Sequence, residues 1–182
     1  MQAWFLKGTT YGKRGKMERI LIIGCSGSGK SRMARSLGEK LDLPVVHLDQ
    51  LWWKPGWENV TVQAFDEKLN AVLKTEKWII DGNFSRTMPM RLQYCDTILY
   101  LDYSRWQCLL GMLQRVTGNY GKVRPDMADG CPERFDWDFV KWIWNFNKNN
   151  RSMNYTWIAQ AKQAKAIVLK NRREANRFLK SI

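Results

Sequence analysis

Residues 19–32 read RILIIGCSGSGKSR, an unbroken apolar run that gives way to glycines and then to a lysine. Gly24, Gly29, Lys30 and Ser31 satisfy G-x-x-x-x-G-K-[ST], the loop that cradles a nucleoside triphosphate at the start of a helix. In such a loop the backbone amides converge on the phosphates at the positive end of the helix. Lys30 can then reach the outer phosphates, and the Ser31 hydroxyl can bind magnesium. The whole stretch Gly24, Cys25, Ser26, Gly27, Ser28, Gly29, Lys30, Ser31 and Arg32 is therefore the candidate ATP-binding element. The spacing of Gly24, Gly27 and Gly29 does not fit G-x-G-x-x-G, which disfavours a dinucleotide site.

Outward from this loop, strand-like and helix-like patterns alternate. Residues 19–24 read as a buried parallel strand, and 31–41 as a helix with Met33, Leu37 and Leu41 on one face. A strand at 44–49, a helix at 62–76, and strands at 77–81, 97–102 and 166–170 complete the set. This alternation predicts an α/β fold, a five-stranded parallel sheet flanked by helices, with ligands beyond the carboxyl ends of the strands. Residues 117–135, TGNYGKVRPDMADGCPERF, break the rhythm with glycines, prolines and charges of both signs, as a lid insertion does. Residues 136–165 return to helical register, and Trp137, Trp142, Trp144 and Trp157 read mainly as packing residues there.

Composition sets outer limits. A chain of 182 residues fits one domain, expected over 17–182, preceded by a glycine-containing basic segment, 1–16, that reads as a flexible extension. No apolar stretch approaches the roughly 18 residues of a membrane helix, so no membrane partner is expected and a cytoplasmic location is. Cys25, Cys95, Cys108 and Cys131 are widely spaced and read as reduced thiols. His47, the one histidine, cannot build a histidine-rich metal site. The net charge of +13 sits at the two ends: residues 1–16 carry +4 and residues 141–182 carry +9. DNA is accordingly a possible partner through those basic ends, alongside anionic ligands or solvent alone.

Residues just after each apolar run are the remaining site candidates. Asp81, closing WIID, suits the carboxylate that holds magnesium, and Arg86 in DGNFSRT can fork onto a phosphate. Asp49 ends the second strand ahead of Trp52, Trp53 and Trp57, which either wall a pocket or form a small aromatic core. Arg115 and Arg124 flank the lid, where closure over phosphates makes either a charge clamp. Asn171 caps the last helix with Glu174 three positions on, and Asn171 and Arg172 are candidates for nucleotide contact.

At this point the chain resembles the adenylate-kinase-type phosphate-loop kinases, and more narrowly the bacterial topology modulation proteins (FlaR). The resemblance runs from about residue 17 to 179, through RILIIGCSGSGKS, HLDQLWWKPGW, WIIDGNFSRT, RPDMADGCPERFDWDFVKWIWNF and NRREANRFL. It implies the adenylate-kinase-like fold, ATP and Mg2+ as ligands, a lid around 117–135 and, from the family name, an influence on DNA topology. The DGFPRT of true adenylate kinases is DGNFSRT here, one residue longer before Arg86, and Lys54 alone stands where those enzymes place an arginine for the monophosphate. Three readings follow: a kinase with a small acceptor (nucleotide, nucleoside or other hydroxyl compound), a nucleotide-regulated DNA-binding protein, and an ATPase without a specific acceptor.

Overall fold

The computed structural model describes residues 17–182, so the expected extension at 1–16 lies outside the described residues. The chain order is β1 (Arg19–Gly24), α1 (Lys30–Leu41), β2 (Val45–His47), α2 (Leu48–Trp52) and a small hairpin of β3 (Trp53–Lys54) and β4 (Glu58–Asn59). It continues through α3 (Val62–Leu73), β5 (Trp78–Asp81), α4 (Met88–Leu92), β6 (Thr97–Leu101), α5 (Arg105–Asn119), α6 (Trp137–Gln160), β7 (Lys165–Leu169) and α7 (Arg172–Ser181).

Five strands form one parallel sheet in the order β2-β5-β1-β6-β7. Central β1 has an all-apolar run because both of its faces are covered. Ile20 and Ile22 point into a core built with α1, α5 and α7, while Leu21 and Ile23 point into the opposite core with α3 and α4. The 24-residue α6 serves both layers, placing Ile143 and Phe146 in the first and Trp157 in the second. The chain leaves β1 toward β5 on one side and β6 on the other, so the loop after β1 opens at the switch in strand order where ligands bind.

Several expected boundaries move. The second strand ends at His47 rather than residue 49, because the chain coils at once into α2 and carries Asp49 on that helix. The third helix stops at Leu73. The expected lid begins three residues late, since α5 stays helical to Asn119. Beyond it, residues 120–136 fold back as a bridge between Tyr120 and Glu133, with Gly121 N–H donating to Glu133 C=O at 2.9 Å. This segment is fastened to the hairpin: Gly56 N–H donates to Gly130 C=O at 2.9 Å, and the buried Cys131 thiol donates to Lys54 C=O at 3.1 Å. All four cysteines are free and buried. No helix among the described residues is long and apolar enough to cross a membrane.

The aromatic expectations divide. Trp52 packs edge-on against Phe65 and Phe84, with centroids 5.3 and 5.9 Å apart, and Trp53 meets Trp57 at 5.4 Å. This is the small aromatic core, and none of the three lines the cleft described below. The expectation of burial for the α6 tryptophans holds for Trp157 alone: Trp137, Trp142 and Trp144 are exposed, with Trp142 edge-on to Phe146 and Trp144 edge-on to Trp106 of α5.

Candidate active site

A cleft of about 760 Å³ opens at the carboxyl ends of β1, β2 and β5, between the loop after β1 and the lid segment. Its floor is the glycine-rich turn. Gly27 and Gly29 take φ of 77° and 92°, a left-handed backbone that side chains with a Cβ rarely adopt. The turn also needs Gly27 small: a Cβ there would stand 2.1 Å from the Cys108 carbonyl oxygen, and one on Gly111 would stand 2.0 Å from the Gly27 carbonyl oxygen. Thus the turn and α5 meet backbone to backbone.

Gly29 caps α1 without any side-chain hydrogen bond, so the leading N–H groups of that helix face the cleft at the positive end of its dipole. Lys30 crosses the mouth of the turn, its Nζ donating to Cys25 C=O at 3.1 Å. Ser28 is buried and tightens the turn by donating its hydroxyl to the same carbonyl at 2.7 Å. Cys25 packs beneath the loop, its thiol directed to Ile143 C=O at 4.0 Å, and does not line the cleft. Ser26, Ser31 and Arg32 do line it.

Two carboxylates face these groups. Asp81, at the end of β5, is buried, and its Oδ2 lies 2.9 Å from His47 Nδ1, whereas Oδ1 has no hydrogen-bond partner. Asp49 stands in the first turn of α2. Burial pushes its carboxyl above the ordinary range and Asp81 pushes the same way, while Lys30 and Arg124 pull it back. His47, the last residue of β2, orients Asp81 through its 2.9 Å contact.

The lid arginines arrive as expected and bring acidic partners that were not foreseen. Arg115 donates to the Ser26 hydroxyl at 3.1 Å and pairs with Glu133 at 3.0 Å. Burial lowers its pKa, and Arg124 nearby adds to that. Arg124 pairs with Asp126 and, through Nε at 2.7 Å, with Glu133. Asp126 also meets Arg35 of α1 at 3.3 Å and lies beside the Ser31 hydroxyl. A lid rich in both signs was the signal available in the sequence, but pairing across 91 residues cannot be read from spacing.

Arg86 does not enter the cleft. It is half-exposed and held by both Asp66 oxygens, at 2.6 and 2.9 Å, because the extra residue in DGNFSRT turns it outward over Phe65. The arginine that organises this turn is Arg91, fully buried, whose guanidinium donates to the carbonyls of Gly82, Asn83 and Phe84. Burial pulls its pKa down to about 9. Asn83 in turn bonds the Gly24 peptide with its carboxamide, donating at 2.7 Å and accepting at 3.0 Å. Asn171 caps α7, accepting from Glu174 N–H at 2.9 Å, and lies outside the cleft lining. Arg172 reaches the cleft and donates to Gln114 at 3.1 Å. Phe139 and Trp142 line the cleft too, stacked with centroids 5.6 Å apart and planes 6° from parallel, with the Arg115 guanidinium 5.5 Å from the Phe139 ring centre.

No known family model matches the sequence, and no curated protein does. Solved structures match the fold. A shikimate kinase from Acinetobacter baumannii, in complex with shikimate, aligns at TM-score 0.59 and 14% identity over 91% of this chain and 90% of that one. A shikimate kinase from Bacteroides thetaiotaomicron aligns at TM-score 0.54 and 16% identity, over 91% and 96% of the two chains. A gluconokinase from Sinorhizobium meliloti 1021 aligns at 0.53 and 15%, over 92% and 94%. At these identities the likeness shows the fold, the parallel α/β architecture expected from the sequence.

Proposed function

We propose that this chain is a magnesium-dependent kinase that moves the γ-phosphoryl group of ATP onto a hydroxyl of a small acceptor. The observation that carries this reading is the meeting, in one cleft, of the amide-lined turn, Lys30 and Ser31 with two carboxylates from separate strand ends, Asp49 and Asp81. Phosphoryl transfer asks little covalent chemistry of a protein and much positioning and charge neutralisation. The turn amides and Lys30 hold the outer phosphates, while Arg115 and Arg124 stand where charge spreads in the transition state. Phe139 and Trp142 supply an aromatic surface for the base, and Arg172 lines the same cleft.

A buried carboxylate oxygen without a donor fits a cation, so the Asp81 Oδ1 and the Ser31 hydroxyl are the groups that would hold Mg2+. Bound there, the ion supplies charge neutralisation to the phosphate oxygens. Asp49 orients the acceptor. The acceptor oxygen bonds to the γ-phosphorus, the bond from that phosphorus to the bridging oxygen of ADP breaks, and the acceptor proton passes to the Asp49 carboxylate. The structural neighbours, two shikimate kinases and a gluconokinase, support transfer to small hydroxylated compounds. The narrower resemblance to topology modulation proteins rests on sequence motifs alone, and the DNA reading on terminal charge alone.

The test is ligand-induced stabilisation. Mg-ATP at one hundred times its dissociation constant is expected to add about 2.7 kcal/mol, read as a rise in Tm. Lys30→Ala should abolish that rise, whereas Arg86→Ala, outside the cleft, should retain it. An undiminished rise in the Lys30 variant sinks the reading.

A further inference from the structure

The acceptor side of the cleft lies between Asp49, Arg35 of α1 and lid residues 124–126, which Gln50 fastens by donating to Pro125 C=O at 2.7 Å. Three guanidinium groups converge on this wall, and two lid carboxylates engage all of them. Arg35 meets Asp126 Oδ1, Arg124 bridges Asp126 Oδ2 and Glu133 Oε2, and Arg115 meets Glu133 Oε1. The Asp126 and Glu133 side chains are only 7% and 4% exposed, so neither gives up its arginines to water while the lid stays in place. Among the described residues, the cleft cations without a carboxylate partner are Lys30, Arg32 and Arg172, at the head of α1 and on α7, the triphosphate side.

We infer that the acceptor is an uncharged polyhydroxyl compound, a sugar, polyol or nucleoside, and that Asp126, in the cleft lining, and Glu133, outside it, set this specificity by holding the guanidiniums that an acceptor carboxylate or phosphate would need. The inference rests on the kinase reading above. An anionic acceptor would share Arg35 or Arg124 with the Asp126 carboxylate and stand near Asp49 and Asp81, a concentration of like charge. A hydroxyl meets no such obstacle: it donates to Asp49 or Asp126 and accepts from Arg35 while the ion pairs stay intact. The names of the structural neighbours make the contrast a sharp one, since shikimate and gluconate each carry a carboxylate.

The experiment titrates the protein, saturated with Mg2+ and a non-hydrolysable ATP analogue, with compounds matched in skeleton: glucose and gluconate, ribose and ribonate, adenosine and AMP. The uncharged member of at least one pair should bind tenfold tighter or better than its anionic counterpart. In Glu133→Gln and Asp126→Asn that preference should shrink tenfold or reverse as an arginine is released, an effect loss of packing alone would not produce. Tighter binding of the anionic members to the unaltered protein, binding of no uncharged member, or a preference unchanged in both variants overturns the inference. Failure of the ATP analogue itself to bind is a separate result, and it removes the kinase reading.

Discussion

The carboxamide of Asn83 grips the Gly24 peptide at both its N–H and its C=O, tying the turn after β5 to the last residue of β1. One side chain thus sets the spacing between the Asp81 carboxylate and the glycine-rich turn. Asn83→Ala leaves both Gly24 groups without these partners and should cost about 1–3 kcal/mol, measured as a lower urea midpoint. Mg-ATP affinity should fall with it. Unchanged affinity at full occupancy of the folded state would show that the clasp does not position the turn.

Asp49→Asn preserves size and removes the charge that, in the proposed reaction, takes the acceptor proton, so transfer should drop by ~10²-fold or more with ATP binding retained. In the unaltered protein kcat should rise with pH through a midpoint above the ordinary carboxylate range, since burial and Asp81 raise that group. The same shift governs stability. A carboxyl raised on folding contributes stability that is present below its unfolded value of about 3.9 and lost as pH rises through the folded value. Asp49→Asn should therefore raise Tm at pH 7 and have little effect near pH 3. A Tm that falls at pH 7 would contradict this account.

Asp126 responds in the opposite sense. Burial alone would raise its carboxyl, but Arg124, Ser31, His47 and Arg35 together hold it below the ordinary value. Its contribution is present above the unfolded value of about 3.9 and lost as pH falls through the folded one. Amide exchange in residues 120–136 should accelerate relative to β1 as the medium is acidified through that range. Asp126→Asn should show the faster exchange already at neutral pH, and a lid whose protection ignores both changes would not be latched by this pair.

Two glycines of α5 make a controlled comparison. Gly118 has open space around it, so Gly118→Ala should stabilise by about 0.5–1 kcal/mol through the ordinary helical advantage of alanine. Gly111→Ala carries the same advantage but drives a methyl against the Gly27 carbonyl, and should lower both Tm and ATP affinity. Equal effects from the two substitutions would mean that the close approach is not there.

The sequence made β1, the turn and α1 plain because their signal is local: an apolar run, glycines at fixed offsets, then a helical face. Asp49 and Asp81 were visible for the same reason, as the polar residues that end apolar runs, although Asp49 lies on a helix that three strand-like residues concealed. Arg86 was misplaced because one inserted residue rotates a turn, and the true organiser, Arg91, sits in a segment that reads as an ordinary helix. Asp126, Glu133 and Arg35 escaped notice because their meaning comes from pairing across long separations. The α6 tryptophans looked like core because aromatic content does not reveal which face of a helix the sheet covers.

The contact between Gly27 and Gly111 has a mechanical consequence. Side chains between two elements act as bumpers, changing rotamer and absorbing small movements, but here one peptide rests on another with no such cushion. From Gly111 the rod of α5 runs two turns further to Asn119, where the lid begins. A tilt at the far end therefore arrives at the amides of the glycine-rich turn undiminished, as through a lever with no play. In the proposed kinase, whatever closes over the acceptor re-aims the grip on the donor in the same stroke.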